Sequence, residues 1–294
     1  MAGLKEIKRR LKSVKNTKKI TYAMKLVAAA KLQKVQEKVF ALQRYQETLA
    51  QIFTQTLQSL EGREVELKLL EKRDEIKNIR LIIIGGSRGL CGGFNTNLNK
   101  KIKEVLSTLK EQYQDANIET ELLGKKVYEF FKREKIEPSV VYENLGENIS
   151  LWPVDEILES AKNDFLTKKI DKVYILYTKF RSALSVVPTL DELLPIDKES
   201  VTSKLNFNPA LIVFEPAKEK LLEDLLPKFL RIKFMQTALD SNASENGSRM
   251  TAMDSATSNA NDLMAKLQLN YNKLRQSAIT SELLDIIGGA EALK

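Results

Sequence analysis

The stretch LKEIKRRLKSVKNTKKITYAMKLVAAAKLQKVQEKVFALQRYQETLAQIFTQTLQSLE, residues 4–61, contains neither glycine nor proline. A segment without helix breakers favours one continuous helix, which at this length would extend roughly 87 Å. A compact chain of 294 residues would be only about 50 Å across. The helix must therefore bend back on itself or protrude.

This helix carries an apolar seam, defined here as the a and d positions of a heptad register that starts at Leu4. Apolar side chains occupy 12 of its 17 positions, against about 7 expected from the composition. They are Leu4, Ile7, Leu11, Val14, Ala28, Leu32, Val35, Val39, Leu42, Leu49, Phe53 and Leu60. The polar exceptions are Lys18, Thr21, Lys25, Gln46 and Thr56. The pattern predicts a coiled-coil helix.

The polar exceptions cluster between Val14 and Ala28, and the apolar residues of that window lie mostly off the seam. These off-seam residues are Ile20, Tyr22, Met24, Leu26 and Val27. Two interpretations stay open. The coiled coil is locally loosened here, or this surface contacts another protein.

A second long helix is predicted at the other end of the chain. After Pro227 the only helix breaker before Gly288 is Gly247, and Gly288 stands where a helix commonly stops. Residues 242–261 are mostly small and polar, which allows close helix approach. Two such helices can bury their seams only against each other, so an antiparallel pair is expected.

Strand-like and helix-like segments alternate between the two helices. Strands are predicted at 78–85, 118–123, 139–145 and 172–180, helices at 95–114, 125–135 and 154–166, a β-prone segment at 183–190, and residues 205–216 lead into the second long helix. This order predicts an α/β domain of βαβ type. The expected division is 1–62 for the first long helix, 77–208 for the α/β domain and 217–294 for the second helix.

A glycine-rich turn, GGSRGLCGGFN at 85–95, follows the first predicted strand. Its spacing matches neither the dinucleotide-binding motif nor the P-loop. A backbone anion nest is the less favoured interpretation, and the favoured one is a tight turn in which glycine permits close backbone approach. Cys91 is expected to be a half-buried thiol.

Composition excludes several kinds of site. The chain has no histidine and one cysteine, so a disulfide scaffold, a thiolate metal cluster and a histidine-dependent mechanism are excluded. We expect no catalytic residue, no cofactor and no metal. No apolar run is long enough to span a membrane.

The positive charge is concentrated in the first helix. Residues 1–60 carry 13 Lys and Arg against 3 Asp and Glu, whereas the rest of the chain carries 34 against 36. The basic residues go around the helix instead of lining one face, which argues against nucleic acid, and the narrow seam argues against a membrane-surface helix. An acidic protein partner fits best.

Three segments resemble the γ-subunit family of F-type ATP synthase. They are the N-terminal residues 1–34, the SRGLCGGFN turn, and residues 248–293, whose order of Ile279, Thr280, Glu282, Asp285, Gly289 and Ala290 is similar to the family's C-terminal signature. The resemblance implies an antiparallel coiled coil of the terminal helices with a Rossmann-like domain at its base. It covers the full chain and is weakest from about 111 to 208.

The resemblance also implies a function and partners. The coiled coil would be the rotor shaft inside a ring of three α and three β subunits, with one γ subunit per complex, an ε subunit and a membrane c-ring as further partners. The chain would make no bonds to ATP. Without an organelle-targeting extension, it would be a peripheral protein on the cytoplasmic face of a bacterial cell membrane.

On the first helix, the resemblance implies a contact with an acidic lever of β. Met24 and Lys25 match the positions that face this lever, and Lys18 and Lys19 supply neighbouring positive charge. The less favoured interpretation of each position is a coiled-coil surface or packing role.

Elsewhere, Arg249, Gln276 and Thr280 match polar contacts to β loops near the top of the shaft. Arg88 and Cys91 would lie in the turn that approaches β and the ε subunit.

One departure from the family lies in the glycine-rich turn. Ser87 stands where the family usually has Asp, so an Asp pair with Arg88 is lost and the turn is expected to be locally weaker. Two other functions stay open: a coiled-coil adaptor without a rotary role, and a nucleotide-binding enzyme built on the α/β domain.

Overall fold

The structure, a computed structural model, describes residues 2–60, 67–202 and 217–291. The predicted segment 205–216 lies outside these ranges, as do 61–62, 203–208 and 292–294 of the expected domain boundaries. That domain division stays a prediction. The chain separates into two compact units, one made of 1–29 with 249–294 and the other of 30–248.

Two long helices supply residues to both units. Helix α1 is Ala2–Gln58 and helix α6 is Lys218–Glu291, so the two predicted long helices are confirmed. Their partnership is antiparallel in each unit. In the larger unit Phe53 packs edge-on against Phe229 with ring centroids 5.7 Å apart, and the Lys218 Nζ donates to the Ser59 carbonyl at 2.6 Å.

Helix α6 contains Pro227, as the expected range 217–294 requires, and differs from the prediction at its end. At Pro227 the proline supplies no N–H to the carbonyl four residues earlier. The helix continues past Gly288 to Glu291, so the predicted stop at Gly288 is wrong. A glycine costs a helix only about 1 kcal/mol relative to alanine, which is too little to end it.

The larger unit contains the predicted α/β domain. Its strands are β1 (Asn78–Ile84), β2 (Asn117–Leu123), β3 (Val140–Tyr142), β4 (Lys172–Ser182) and β5 (Ser185–Leu194). Its helices are α2 (Phe94–Gln112), α3 (Lys125–Glu134), α4 (Val154–Leu166) and the short α5 (Lys198–Val201), with 3-10 turns at Lys68–Leu70 and Ile149–Leu151. The predicted alternation is confirmed, with β3 shorter than expected.

The five strands form one sheet in the order β3-β2-β1-β4-β5. The first four are mutually parallel, as the βαβ alternation predicts, with Ile82 opposite both Glu121 and Ile175. Strand β5 returns antiparallel to β4. Only two residues separate β4 from β5, which is enough for a hairpin and too few for a crossover helix.

Each face of the sheet is covered by helices. Residues of β1 alternate between two cores: Leu81 and Ile83 pack with α2 and α3, while Ile82 and Ile84 pack with α4 and the neighbouring parts of α1 and α6. Because both faces are buried, β1 reads as a continuous apolar run. The carboxyl end of β1 leads directly into the glycine-rich turn.

Candidate partner-binding surface

The polar break in the α1 seam is paired across the smaller unit. The Thr21 and Thr257 hydroxyls, both buried, lie 2.8 Å apart, and the Lys25 Nζ lies 2.7 Å from Asp254 Oδ1. The Thr257 hydroxyl also donates to the Met253 carbonyl at 2.7 Å. The small polar stretch of α6 therefore supplies the partners that the polar seam positions need.

All 17 seam positions of α1 are buried or partly buried. The break is thus a paired polar layer, and the interpretation of a locally loosened coiled coil is wrong. Thr56, another polar exception, is buried and donates to the Ile52 carbonyl at 2.8 Å.

The off-seam apolar residues of the same window point away from the helix pair. Ile20, Tyr22, Leu26 and Val27 are each more than half exposed, and Met24 is partly buried. These residues, with Lys18, Lys19 and Lys25, form what we call the α1 contact surface. Lys19 is exposed, whereas Lys18 and Lys25 are partly buried. Large apolar side chains and lysines therefore share one exposed stretch of helix.

The end of α6 is a second exposed surface. Leu274 lies opposite Gly3, and α6 continues from there to Glu291. Gln276 and Thr280 are exposed one turn apart, and the Thr280 hydroxyl donates to the Gln276 carbonyl at 2.9 Å. Exposed apolar residues accompany them: Ile279, Leu283, Leu284, Ile286 and Ile287. Arg249 is partly buried at the other end of this segment of α6.

The glycine-rich turn belongs to the larger unit and is closed by helix α3. A Cβ on Gly85 would lie 2.7 Å from the Val127 Cβ, and one on Gly86 would lie 2.7 Å from Asn95 Oδ1. The Lys126 amide donates to the Gly86 carbonyl at 2.9 Å, and the Gly85 amide to the Leu123 carbonyl at 2.8 Å. The expected tight turn with close backbone approach is confirmed.

Cys91 is more buried than expected, since only 2% of it is exposed. The Asn95 Nδ2 donates to its Sγ at 3.1 Å, and Sγ lies 3.7 Å from the Arg88 carbonyl. The thiol therefore lies inside the turn. Arg88 and Leu90 are exposed and form its outer surface.

Arg88 has an acidic partner despite the serine at position 87. Its Nη1 lies 3.0 Å from Glu147 Oε1, and the Ser87 hydroxyl donates to the Leu145 carbonyl at 3.3 Å. The turn is thus fastened to the loop that follows β3, and the expected weakening is offset by residues that the sequence did not identify.

Two buried carboxyl groups of the larger unit have raised pKa values. Burial raises the pKa of Glu121 to about 7, against the opposing charge of Arg80 and with the help of Glu156 and Glu119. Burial also raises the pKa of Asp240 to about 6, opposed by Lys179. Asp240 lines a cavity of about 160 Å³.

The described residues contain neither a cluster of metal ligands nor a membrane-spanning helix. Within them no group of three or more His, Cys, Asp and Glu side chains is placed to hold a metal ion. None of the described helices combines the length and hydropathy required of a membrane span.

The predicted contact residues fall into three groups. Lys18, Lys19, Met24 and Lys25 lie together on α1, Gln276 and Thr280 lie together on α6, and Arg88 and Cys91 lie in the turn of the larger unit. Sequence reasoning missed Asp254, Thr257 and Glu147. The first two stand within the small polar stretch of α6 and could have been matched to the polar seam positions by an antiparallel register, whereas Glu147 carries no local signal.

Comparison with known proteins agrees with this architecture. A family model described as ATP synthase matches residues 3–293. The ATP synthase gamma chain of Geobacter metallireducens is 41% identical over 295 residues, with the whole of both chains covered. The chain belongs to the ATP synthase gamma-chain family. The gamma chain of Bdellovibrio bacteriovorus is 38% identical, again over the whole of both chains.

Solved structures share the fold of this gamma chain. The rotor of the Euglena gracilis mitochondrial ATP synthase matches with a TM-score of 0.59 at 17% identity, covering 95% of this chain and 99% of that one. The central stalk and c-ring structure of the Tetrahymena thermophila enzyme matches with a TM-score of 0.52 at 22% identity, covering 81% and 99%.

Proposed function

We propose that this gamma chain is the central-stalk rotor subunit of an F-type ATP synthase. It couples ion translocation through the membrane sector to ATP synthesis or hydrolysis by rotating inside a ring of three α and three β subunits. The observation that carries the proposal is the α1 contact surface, because its apolar side chains are exposed beside a seam whose polar residues Thr21 and Lys25 are already paired with α6.

The proposed role is mechanical. One gamma chain per complex contacts the α and β subunits, an ε subunit and the membrane c-ring. It has no catalytic site and no cofactor of its own, and it is held peripherally at the cytoplasmic face of a bacterial cell membrane through the complex. A rotor can bias a β subunit only through contacts whose free energy differs between β conformations.

Apolar and charged residues of the α1 contact surface make different kinds of contact with β. Ile20, Tyr22, Leu26 and Val27 provide apolar area whose burial depends on how closely a β subunit approaches. Lys18, Lys19 and Lys25 face an acidic lever of β. The pairing of Lys25 with Asp254 keeps its ammonium close to α6, so that a β carboxylate approaching Lys25 competes with Asp254.

Two further contacts complete the proposal. Gln276 and Thr280, with Arg249, contact β loops along the exposed part of α6. In the turn, Arg88 makes the contact with β and the ε subunit, and the buried Cys91 holds the turn from inside.

Reconstitution with α and β subunits of a bacterial relative tests the rotor function. We expect one gamma chain per three αβ pairs and a rise in ATPase activity. Replacing Lys18, Lys19 and Lys25 by Glu should reduce ATP-driven ion pumping by about tenfold through like-charge repulsion. A matched triple reversal at Lys100, Lys110 and Lys125, all exposed on α2 and α3, should leave pumping within twofold, a difference of about 0.4 kcal/mol.

One outcome would contradict the rotor function and a second would contradict only the acidic-lever contact. Binding to α and β at a different stoichiometry, without activation, is what a non-rotary adaptor would give. Equal pumping by the two triple variants would remove the acidic-lever contact while leaving the rotor assignment standing.

A further inference from the structure

One residue in the larger unit, Glu147, contacts three separate elements. The Glu147 carboxylate lies 2.6 Å from the Lys31 Nζ on α1 and 3.0 Å from the Arg88 Nη1 in the glycine-rich turn. The Glu147 carbonyl accepts a hydrogen bond from the Asn242 Nδ2 on α6 at 3.2 Å. We call these four residues the Glu147 junction.

The loop that carries Glu147 is itself held in place. The Trp152 Nε1 donates to the Gly146 carbonyl at 2.8 Å, and the Leu145 carbonyl accepts from the Ser87 hydroxyl. Ile149, two residues after Glu147, is buried in the core between the sheet and the long helices. The backbone of Glu147 is therefore fixed on both sides, and its carboxylate is presented to two cations at once.

The junction is poorly suited to holding the fold together. The Lys31, Glu147 and Arg88 side chains are 34%, 42% and 67% exposed, and exposed ion pairs add little to stability. The apolar cores on both sheet faces already stabilise this unit. What the junction adds is a charge-dependent link between the turn and α1, beside a backbone hydrogen bond to α6.

We propose that Glu147 is a positioning residue for torque transmission, locking α1 and α6 to the glycine-rich turn so that the contact surface of the turn moves with the helices. This inference rests on the proposed rotor function. When the carboxylate is neutralised, the fold persists and the turn gains freedom to lag behind the helices. Part of each ion-driven rotation of the helices is then taken up by local motion of the turn.

The first test uses the isolated gamma chain. Glu147→Gln removes the charge and keeps the carbonyl that Asn242 uses. Amide hydrogen exchange in the segments 86–93 and 143–152 should rise about fivefold at unchanged thermal stability, because local opening becomes easier without global unfolding. The matched control is Glu143→Gln in the same loop, which should leave exchange unchanged. Equal exchange in both variants would overturn the junction, as would a global loss of stability in Glu147→Gln.

The second test uses the complete enzyme reconstituted in vesicles. Glu147→Gln should keep assembly and ATPase activity within twofold, while the number of ions pumped per ATP falls about two- to threefold, a size typical of residues that modulate coupling. Wild-type coupling should decrease as salt rises from 50 to 500 mM, because ions screen the junction, whereas Glu147→Gln should show a smaller decrease, which comes from the remaining charged contacts of the α1 lysines.

A double-mutant cycle separates the junction from unrelated effects. Lys31→Gln combined with Glu147→Gln should lose no more coupling than Glu147→Gln alone, since both remove the same link. Additive losses would overturn the proposal. Failure of the wild-type chain to assemble would count against the rotor function itself, and the exchange test on the isolated chain would still decide whether the junction exists.

Discussion

The sheet unit and the helix-pair unit bury their side chains in opposite ways. In the sheet unit, β1 contributes Ile79, Leu81, Ile82, Ile83 and Ile84, all at most 1% exposed, and both sheet faces are covered by helices of the same chain. In the helix-pair unit, the buried layer is narrow and partly polar, and large apolar residues remain exposed on both helices. The sheet unit has an apolar core on each face of its sheet, whereas the helix pair has only a narrow buried layer and leaves a larger share of its apolar side chains exposed.

This difference shows where stability and function are separated in the chain. Substitutions in the buried cores of the sheet unit should act on folding. Substitutions on the exposed helix surfaces should act on assembly and coupling. Measurements of stability on the isolated chain test the first of these two expectations.

The largest expected effect is the loss of Phe53. It is fully buried and packs edge-on against Phe229, so Phe53→Ala should lower the free energy of unfolding by about 3–5 kcal/mol. Phe40→Ala, on the same helix but 64% exposed, should change it by about 0.5 kcal/mol or less. Urea unfolding of both variants measures the difference. Similar losses at the two positions would show that the long helix is not divided into a core-bound and an exposed side.

A smaller effect of opposite sign is expected at Glu121, the buried carboxyl of β2. Its pKa of about 7 lies above the ordinary value of 4.5, so the folded chain retains a proton that the unfolded chain releases. Stability should therefore fall as pH rises from about 4.5 to about 7. Glu121→Gln should be more stable than the wild type by about 2 kcal/mol at pH 8 and no more stable at pH 4.

Unfolding by urea at several pH values checks the Glu121 prediction. Glu111→Gln, an exposed change on α2, should show the same pH profile as the wild type. A pH-independent gain in Glu121→Gln would mean that the carboxyl is not protonated in the folded chain.

The sequence predicted most elements of the sheet unit because their signals are local. The apolar run of β1, the alternation that follows it and the absence of breakers in α1 each follow from neighbouring residues. The direction of a strand does not follow from the pattern of neighbouring residues. The pattern of β5 is the same for either direction, and only the short hairpin after β4 makes β5 antiparallel. The predicted helix stop at Gly288 was wrong because the preference of glycine for helix ends is only a weak local signal.

The candidate contact surface was predicted only in part. The off-seam apolar residues and the lysines of α1 were visible in the heptad register. The pairing of Thr21 with Thr257 joins residues 236 positions apart, and the link from Glu147 to Lys31 joins residues 116 apart. Such contacts depend on how the chain folds back, and the spacing of residues within one helix does not predict them. Cys91 illustrates the same limit, because its burial depends on Asn95 and the closed turn.

The smallest expected effect on stability concerns the buried hydroxyl pair of the two helices, Thr21 and Thr257. Thr21→Val and Thr257→Val each retain side-chain shape and remove one hydroxyl from the buried pair, so each should cost about 1 kcal/mol. The double variant should cost less than the sum, because two apolar partners of the same shape leave no unsatisfied donor. Hydrogen exchange of amides near positions 21 and 257 gives the local free energies. Additive costs would mean that each hydroxyl donates its one proton to a carbonyl of its own helix, Thr21 to Lys18 and Thr257 to Met253, and that the polar layer does not link the two helices.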